Sequence, residues 1–311
     1  MGQSYHISQV NIVNEGQIKI GDLLIKNGII SRIEFGKSLK TPAATTFING
    51  EGLYLFPGVI DDHVHFREPG LEDLADIHSE SKAAVAGGVT SFMDMPNTKP
   101  AVVTQKVLEE KYALAAKKSL ANYSFYMGAN NENYDEIMRT PLNNVCGIKM
   151  FLASSTGQLL INNEKSIEKV FKNTGHLIAA HCEDEQTIIN NTAHYKTLKP
   201  EEIDTSVHSK IRTAEASYFG TLNAVQLAKK TGARLHVLHV SSERELDLFS
   251  NKKPLEKKKI TAEACIHHLW FTSDFYAVKE NFIKVNPSIK SAEDRFALRK
   301  GLKNGLIDVV A

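Results

Sequence analysis

The sequence predicts an α/β fold, a (β/α)8 barrel preceded by a small β-sheet unit. Three observations predict it. From Gly52 onward, short apolar runs alternate with helix-period patterns; eight such runs can be marked; and the preceding residues carry only strand patterns separated by turn residues. Strands alternating with helices are the pattern of parallel β/α units. Eight strands close a barrel. An open doubly wound sheet is the structural alternative, but no Gly-x-Gly-x-x-Gly follows the first barrel strand.

In chain order, residues 9–13, 17–20, 22–26 and 29–34 read as strands, broken by Asn14-Glu15-Gly16 and Asn27-Gly28. Asn-Gly between apolar alternations is a strong hairpin signal. Residues 1–54 are therefore expected to form a small antiparallel sheet unit, and residues 55–311 the barrel. Barrel strands are expected over 55–64, 90–95, 123–127, 147–152, 176–181, 234–240, 260–267 and 306–311. Helices are expected over 74–86, 104–118, 164–173, 214–231, 243–249 and 293–304. Gly87-Gly88 and Gly232 are placed to stop helices, since glycine tolerates the left-handed cap. Residues 184–208 form a long insertion after the fifth barrel strand, expected to serve as an active-site or interface loop.

Composition narrows the class. The 311 residues hold 37 Lys+Arg against 36 Asp+Glu, a net charge of +1, which gives no electrostatic footprint for nucleic acid or an anionic membrane. No run approaches the ~18 apolar residues of a spanning helix, and the first residues show no secretory pattern. Cys146, Cys182 and Cys265 are too few and too scattered for a disulfide framework. Membrane-spanning, fibrous, disulfide-rich and disordered classes are excluded, and a cytoplasmic location is expected.

His63-Val64-His65 lies at the end of the first barrel strand. Residues i and i+2 of a strand point to one side, so two imidazoles converge there. Neutral imidazole is a good zinc ligand; the triplet alone is equally compatible with two polar residues near a turn. His181 and His239 close the fifth and sixth strands. Catalytic residues of barrels come from the C-terminal ends of several strands, which makes the four histidines a candidate metal set. His236, three positions before His239, is expected on the opposite face with a structural role. Lys149 sits inside the apolar fourth strand, where a lysine is costly unless paired or neutral. Either it snorkels to the surface, or a depressed pKa frees its amine to add carbon dioxide. The resulting carbamate has two oxygens that suit a two-metal spacing of about 3.5–4 Å.

The segment Asp61-Asp62-His63-Val64-His65-Phe66-Arg67-Glu68-Pro69-Gly70 resembles the first signature of dihydroorotases, members of the amidohydrolase superfamily of metal-dependent (β/α)8 barrels. The resemblance extends over Phe56-Pro57-Gly58, Met95-Pro96-Asn97-Thr98, Lys149, His181, His239 and Val285-Asn286-Pro287. It implies two zinc ions, the first held by His63 and His65, the second by His181 and His239, with carboxylated Lys149 bridging them. A lysine at the bridging position places the chain near the carbamate-using branch, which is also similar to allantoinases and hydantoinases. Arg67, Asn97 and Asn286 match positions that bind the substrate carboxylate and ring. That suits their chemistry, since Arg offers a planar donor fork and Asn both donates and accepts. Arg67 favours dihydroorotases, because allantoinases commonly carry Asn there. His268, in the His267-His268 pair after strand seven, is expected behind the ligands, although Ile266 stands where the family has proline. Cys182 is expected to be a small buried hydrophobe.

The resemblance also implies a catalytic aspartate in a Thr-Asp-His-Ala-Pro-His-like segment after strand eight. The chain ends at Ala311 before any such segment, and Asp308 matches no family position, so no catalytic acid–base is expected within these residues. The last barrel helix and the rest of the small sheet unit are expected to lie in a longer enzyme. The implied activity is reversible hydrolysis of (S)-dihydroorotate to N-carbamoyl-L-aspartate in pyrimidine biosynthesis. The expected enzyme is a homodimer acting on a small molecule, with aspartate transcarbamoylase as a candidate partner. The alternatives are another cyclic amidase (allantoinase, or dihydropyrimidinase/hydantoinase) and a non-catalytic dihydroorotase-like subunit. Such subunits typically lose metal ligands, and all are present here.

Overall fold

Two tight hairpins start the chain. β1 (Ser4–Asn14), β2 (Gln17–Lys26) and β3 (Ile29–Phe35) are joined by Glu15-Gly16 and Asn27-Gly28. All four linking residues have positive φ, at 48°, 73°, 53° and 76°. Such two-residue turns carry the twist of the strands they connect. The computed structural model describes residues 3–153, 159–197 and 204–311. The chain divides into two compact units, Met1–Val59 and Ile60–Ala311.

In the first unit, β4 (Thr46–Asn49) and β5 (Tyr54–Leu55) both pair with β1 in parallel. The sheet is therefore mixed, where the sequence suggests an antiparallel one; the turn dipeptides report only the local hairpins. Residues 17–26 are one strand, not two. Gly21 pairs with both Val10 and Phe35, and a Cβ there would lie 2.7 Å from the Glu34 carbonyl oxygen, so glycine serves close strand approach and not a break. The irregularity falls on Gln9 in β1, at φ 53°, whose N–H donates to Asp22 Oδ1 at 2.9 Å.

The second unit runs β6 (Val59–Val64), α1 (Ile77–Ala86), β7 (Val89–Asp94), α2 (Gln105–Lys118), β8 (Asn122–Gly128), α3 (Tyr134–Arg139), β9 (Gly147–Phe151), α4 (Glu164–Asn173) and β10 (Leu177–His181). It continues through α5 (Glu185–Tyr195), α6 (Val207–Ile211), α7 (Ala214–Thr231), β11 (Arg234–Val237), β12 (Ile260–Ala264), α8 (Ile266–Trp270), α9 (Tyr276–Lys279), α10 (Ala292–Lys303) and β13 (Val309–Val310). Strand order follows chain order from β6 to β13, and every neighbouring pair from β7 to β13 is parallel. This is the (β/α)8 barrel.

Period-two alternation sorts the strand residues. Ile148, Met150, Ile178, Ala180, Leu235 and Val237 join helix residues such as Leu108, Val170, Phe171 and Ala224 in one large core. Ala179 belongs instead to a separate cluster with Met95, Tyr126 and Leu238. Lys149 and His181, on the alternate positions of β9 and β10, are thereby turned away from the helices.

Several boundaries differ from the sequence reading. The strand expected over 55–64 is two, β5 and β6, interrupted at Phe56-Pro57-Gly58. The sixth barrel strand stops at Val237, and His239 takes a left-handed φ of 41°. The seventh stops at Ala264, which places His267 and His268 on α8. Residues 244–248 form a 3-10 helix where an α-helix is expected. The described part of the 184–208 insertion is largely helical, through α5 and the start of α6; residues 198–203 lie outside the described residues.

Candidate active site

β6 delivers His63, with His65 just beyond its end; β9 delivers Lys149; β10 ends on His181; His239 follows β11. These five side chains line one cavity of about 370 Å³, together with Arg67, Phe151, Cys265, His267, Lys284, Val285 and Asn286. Ring centroids of His63 and His65, and of His63 and His239, are 5.3 Å apart, and those of His181 and His239 4.7 Å. Arg67 holds a left-handed φ of 68°, a strain of about 1–3 kcal/mol for a non-glycine residue. The turn is braced on both sides, by Glu68 N–H to the Phe66 carbonyl (2.8 Å) and Phe66 N–H to Asp94 Oδ1 (3.0 Å).

Three of the imidazoles are gripped from behind by a side-chain oxygen. His63 Nδ1 donates to Glu263 Oε1 (2.9 Å), and His181 Nε2 to Glu183 Oε2 (2.9 Å). His65 Nδ1 lies 2.7 Å from Asn97 Oδ1. A carboxylate only accepts, so each of these rings carries a proton on the nitrogen facing its carboxylate, and the other nitrogen, His63 Nε2 or His181 Nδ1, faces away from it. His181 Nδ1 faces His239 Nε2 at 3.0 Å, and His239 Nδ1 is buried without a hydrogen-bond partner. Burial holds His65 and His239 well below the usual imidazole range, and lowers His181 despite the opposing pull of Glu183. Imidazoles whose ring nitrogens gather at one place, three of them held from behind by a side-chain oxygen, are a donor set that fits divalent metal.

Lys149 is fully buried, and its Nζ has no hydrogen-bond partner. It lies 4.5 Å from the centroid of the Phe151 ring. Burial lowers its pKa to about 7, so a large fraction is free amine near neutral pH. An orphaned buried amine among neutral imidazoles is the environment in which a carbamate would form.

Other predicted residues fall elsewhere. Asn97 is buried, and its Oδ1 engages His65; it is not among the residues lining the cavity, whereas Asn286 is. His268 Nε2 donates to the Pro287 carbonyl at 3.0 Å, and its neighbour His267 is the one that lines the cavity. Cys182 is packed in the main core.

Glu263 and Glu183 escape sequence reading. Glu263 Oε1 accepts from His63, from the His239 backbone N–H (2.8 Å) and from Cys265 Sγ (3.3 Å). Its Oε2 is 3.5 Å from His236 Nε2, which also pairs with Asp62 at 3.3 Å. Burial pushes the Glu263 carboxyl up, but the facing His63 and His236 outweigh it and hold it well below its usual range. His236 is raised to about 9: burial opposes its charge, and Asp62 and Glu263 override that. His236 meets Glu263 through its ring and His239 only through its backbone N–H; the strand ladder ends between them, and of the two rings it is that of His239 that lines the cavity. Glu183 is also paired with Arg212, and its pKa is about 2: burial raises it, and His181 and Arg212 lower it further. Glu263, like Lys149, is a charge inside an apolar barrel strand, and that misplacement is its signal in the sequence.

The sequence profile of the family described as dihydro-orotase-like matches residues 52–245. The chain belongs to the dihydro-orotase-like family. A dihydroorotase from Methanosarcina acetivorans is 31% identical over 315 residues, covering 98% of this chain and 66% of that protein. An allantoinase from Bacillus velezensis is 30% identical over 304 residues, covering 96% of this chain and 66% of that protein. The chain thus spans just under two thirds of the length of both. Among solved structures, the L-hydantoinase (dihydropyrimidinase) from Arthrobacter aurescens superposes with a TM-score of 0.91 at 25% identity, over 100% of this chain and 69% of that one. The five clustered side chains, His63, His65, Lys149, His181 and His239, all lie within the limits of the dihydro-orotase-like match. No helix among the described residues is long and apolar enough to cross a membrane.

Proposed function

We propose that the protein is a dihydroorotase, interconverting (S)-dihydroorotate and N-carbamoyl-L-aspartate. The observation that carries this reading is the convergence in one cavity of four imidazoles, the unpartnered Lys149 amine and Arg67. Two zinc ions would be held by His63 with His65 and by His181 with His239, joined by carboxylated Lys149; when bound, such ions acidify water and polarise a carbonyl. Everything else is done by the chain. The neutral Lys149 amine adds to carbon dioxide, forming an N–C bond and losing one proton to solvent. Glu263 and Glu183 keep His63 and His181 in one tautomer and one orientation. Arg67 offers its planar fork to the substrate carboxylate, and Asn286 pairs with an amide edge of the ring. Fixing the ring at two points sets which carbonyl is attacked.

A second reading is supported by the allantoinase similarity: a cyclic amidase whose ring needs no carboxylate. Arg67 in the cavity favours the acid. Hydrolysis of dihydroorotate, allantoin and dihydrouracil by the full-length gene product, followed by the appearance of each ring-opened ureido product, separates the two. Dihydroorotate is expected to be preferred strongly; equal or faster opening of allantoin overturns the assignment. Zinc analysis tests the non-catalytic alternative, which a metal-free protein would favour. A cytoplasmic homodimer, with aspartate transcarbamoylase as candidate partner, belongs to the same proposal. Its mass in solution with and without that enzyme tests the assembly.

A further inference from the structure

Cys265, His267 and His268 stand together where β12 gives way to α8. Each offers one donor atom, and the three atoms lie within 4.8 Å of one another. His268 is buried, and its Nε2 is committed to the Pro287 carbonyl at 3.0 Å. A carbonyl only accepts, so the proton is on Nε2 and Nδ1 carries a lone pair. That Nδ1 is buried with no hydrogen-bond partner, and an unsatisfied buried acceptor destabilises a folded protein. His267 is also neutral: burial lowers its pKa to about 4. A thiol and two neutral imidazoles make a soft donor set, suited to zinc and its heavier congener and unsuited to magnesium or calcium.

We propose that Cys265, His267 and His268 form a further cation site, separate from the four-histidine set, for a thiophilic dication such as Zn²⁺ or Cd²⁺. On binding, the Cys265 S–H proton is released to solvent and the sulfur lone pair bonds to the cation; the imidazoles add their lone pairs, and no oxidation state changes. The Cys265 S–H now donates to Glu263 Oε1, so the cation takes the place of that proton. Cys265 and His267 also line the cavity that holds His63 and Arg67. A cation bound there narrows the space for substrate, so occupancy of this site inhibits. The competing placement is also visible: Cys265 reaches within the same 4.8 Å limit of His63 and Glu263.

Cadmium added to the zinc-loaded protein tests the site through thiolate-to-cadmium charge-transfer absorption, which reports sulfur ligation and not activity. Neither Cys146 nor Cys182 belongs to a metal-capable group among the described residues. The absorption is expected to saturate with a single thiolate-bound cadmium, to vanish in Cys265→Ser, and to need roughly tenfold more cadmium in His267→Gln and in His268→Gln. No absorption in the folded wild type overturns the proposal. So does absorption that survives both histidine variants, which would place the cation on His63 and Glu263. Should Cys265→Ser fail to fold, His267→Gln at its half-buried position decides the matter alone.

Discussion

His63 and Glu263 stand 200 positions apart in the chain and 2.9 Å apart in the fold. The same carboxylate oxygen takes the backbone N–H of His239, so one buried group sets two histidines that the proposed function assigns to different ions. Glu263→Gln keeps the volume, removes the charge and frees His63 to change tautomer. Zinc affinity, measured against a competing chelator, is expected to fall about 10–100-fold. Unchanged affinity and unchanged turnover would leave Glu263 a purely structural residue.

Gly220 on α7 lies against the backbone of Glu183: a Cβ there would sit 2.5 Å from the Glu183 carbonyl carbon. Backbone cannot swing aside as a side chain can. Gly220→Ala is therefore expected to destabilise the fold by about 1–3 kcal/mol in urea titration. By displacing Glu183 it should also loosen zinc at His181. A variant as stable as wild type would show that the helix shifts freely.

Lys149 should carry one carbon dioxide adduct per chain in bicarbonate buffer, visible in native mass spectra and lost on acidification. Lys149→Ala should lose both the adduct and about 10²-fold or more of the hydrolysis rate. An intact adduct in that variant would place the carbamate on another amine.

Arg67→Ala should reduce kcat/KM for dihydroorotate by about 10²-fold, the effect of losing a charge-assisted bidentate pair, and that for dihydrouracil by much less. Equal losses on both rings would mean that Arg67 shapes the strained turn after β6 and does not read the carboxylate.

His236 makes a stability prediction with a definite sign. Its folded pKa of about 9 exceeds the ordinary 6.5, so its ion pairs with Asp62 and Glu263 contribute fully below pH 6.5 and are lost as pH rises through about 9. The stability gap between wild type and His236→Gln is expected to be about 3 kcal/mol at pH 6, and to close above pH 9. A gap that is flat with pH in urea titrations would mean that His236 is neutral in the folded protein.

The barrel was legible because its causes are local. Alternating apolar runs and helical periods marked all eight strands, and α4 and α7 have the expected limits of 164–173 and 214–231. The histidines at strand ends, and Lys149 inside an apolar strand, announced chemistry by being out of place. What the chain order could not reveal is contact between distant segments. The parallel pairing of β4 and β5 with β1, the left-handed turn at His239 that ends a strand early, and the α8 helix that carries His267 and His268 depend on where other strands lie.

The sequence by itself determined which side chains could reach a barrel rim, since strand period and strand order follow from the pattern of apolar residues. Only the tertiary structure decided which ring nitrogen of His63, His65 and His181 is held from behind. That choice belongs to Glu263, Asn97 and Glu183, oxygen donors brought up by other parts of the fold. Two of these partners are carboxylates whose charge is tolerated in the interior only because histidine and arginine face them there.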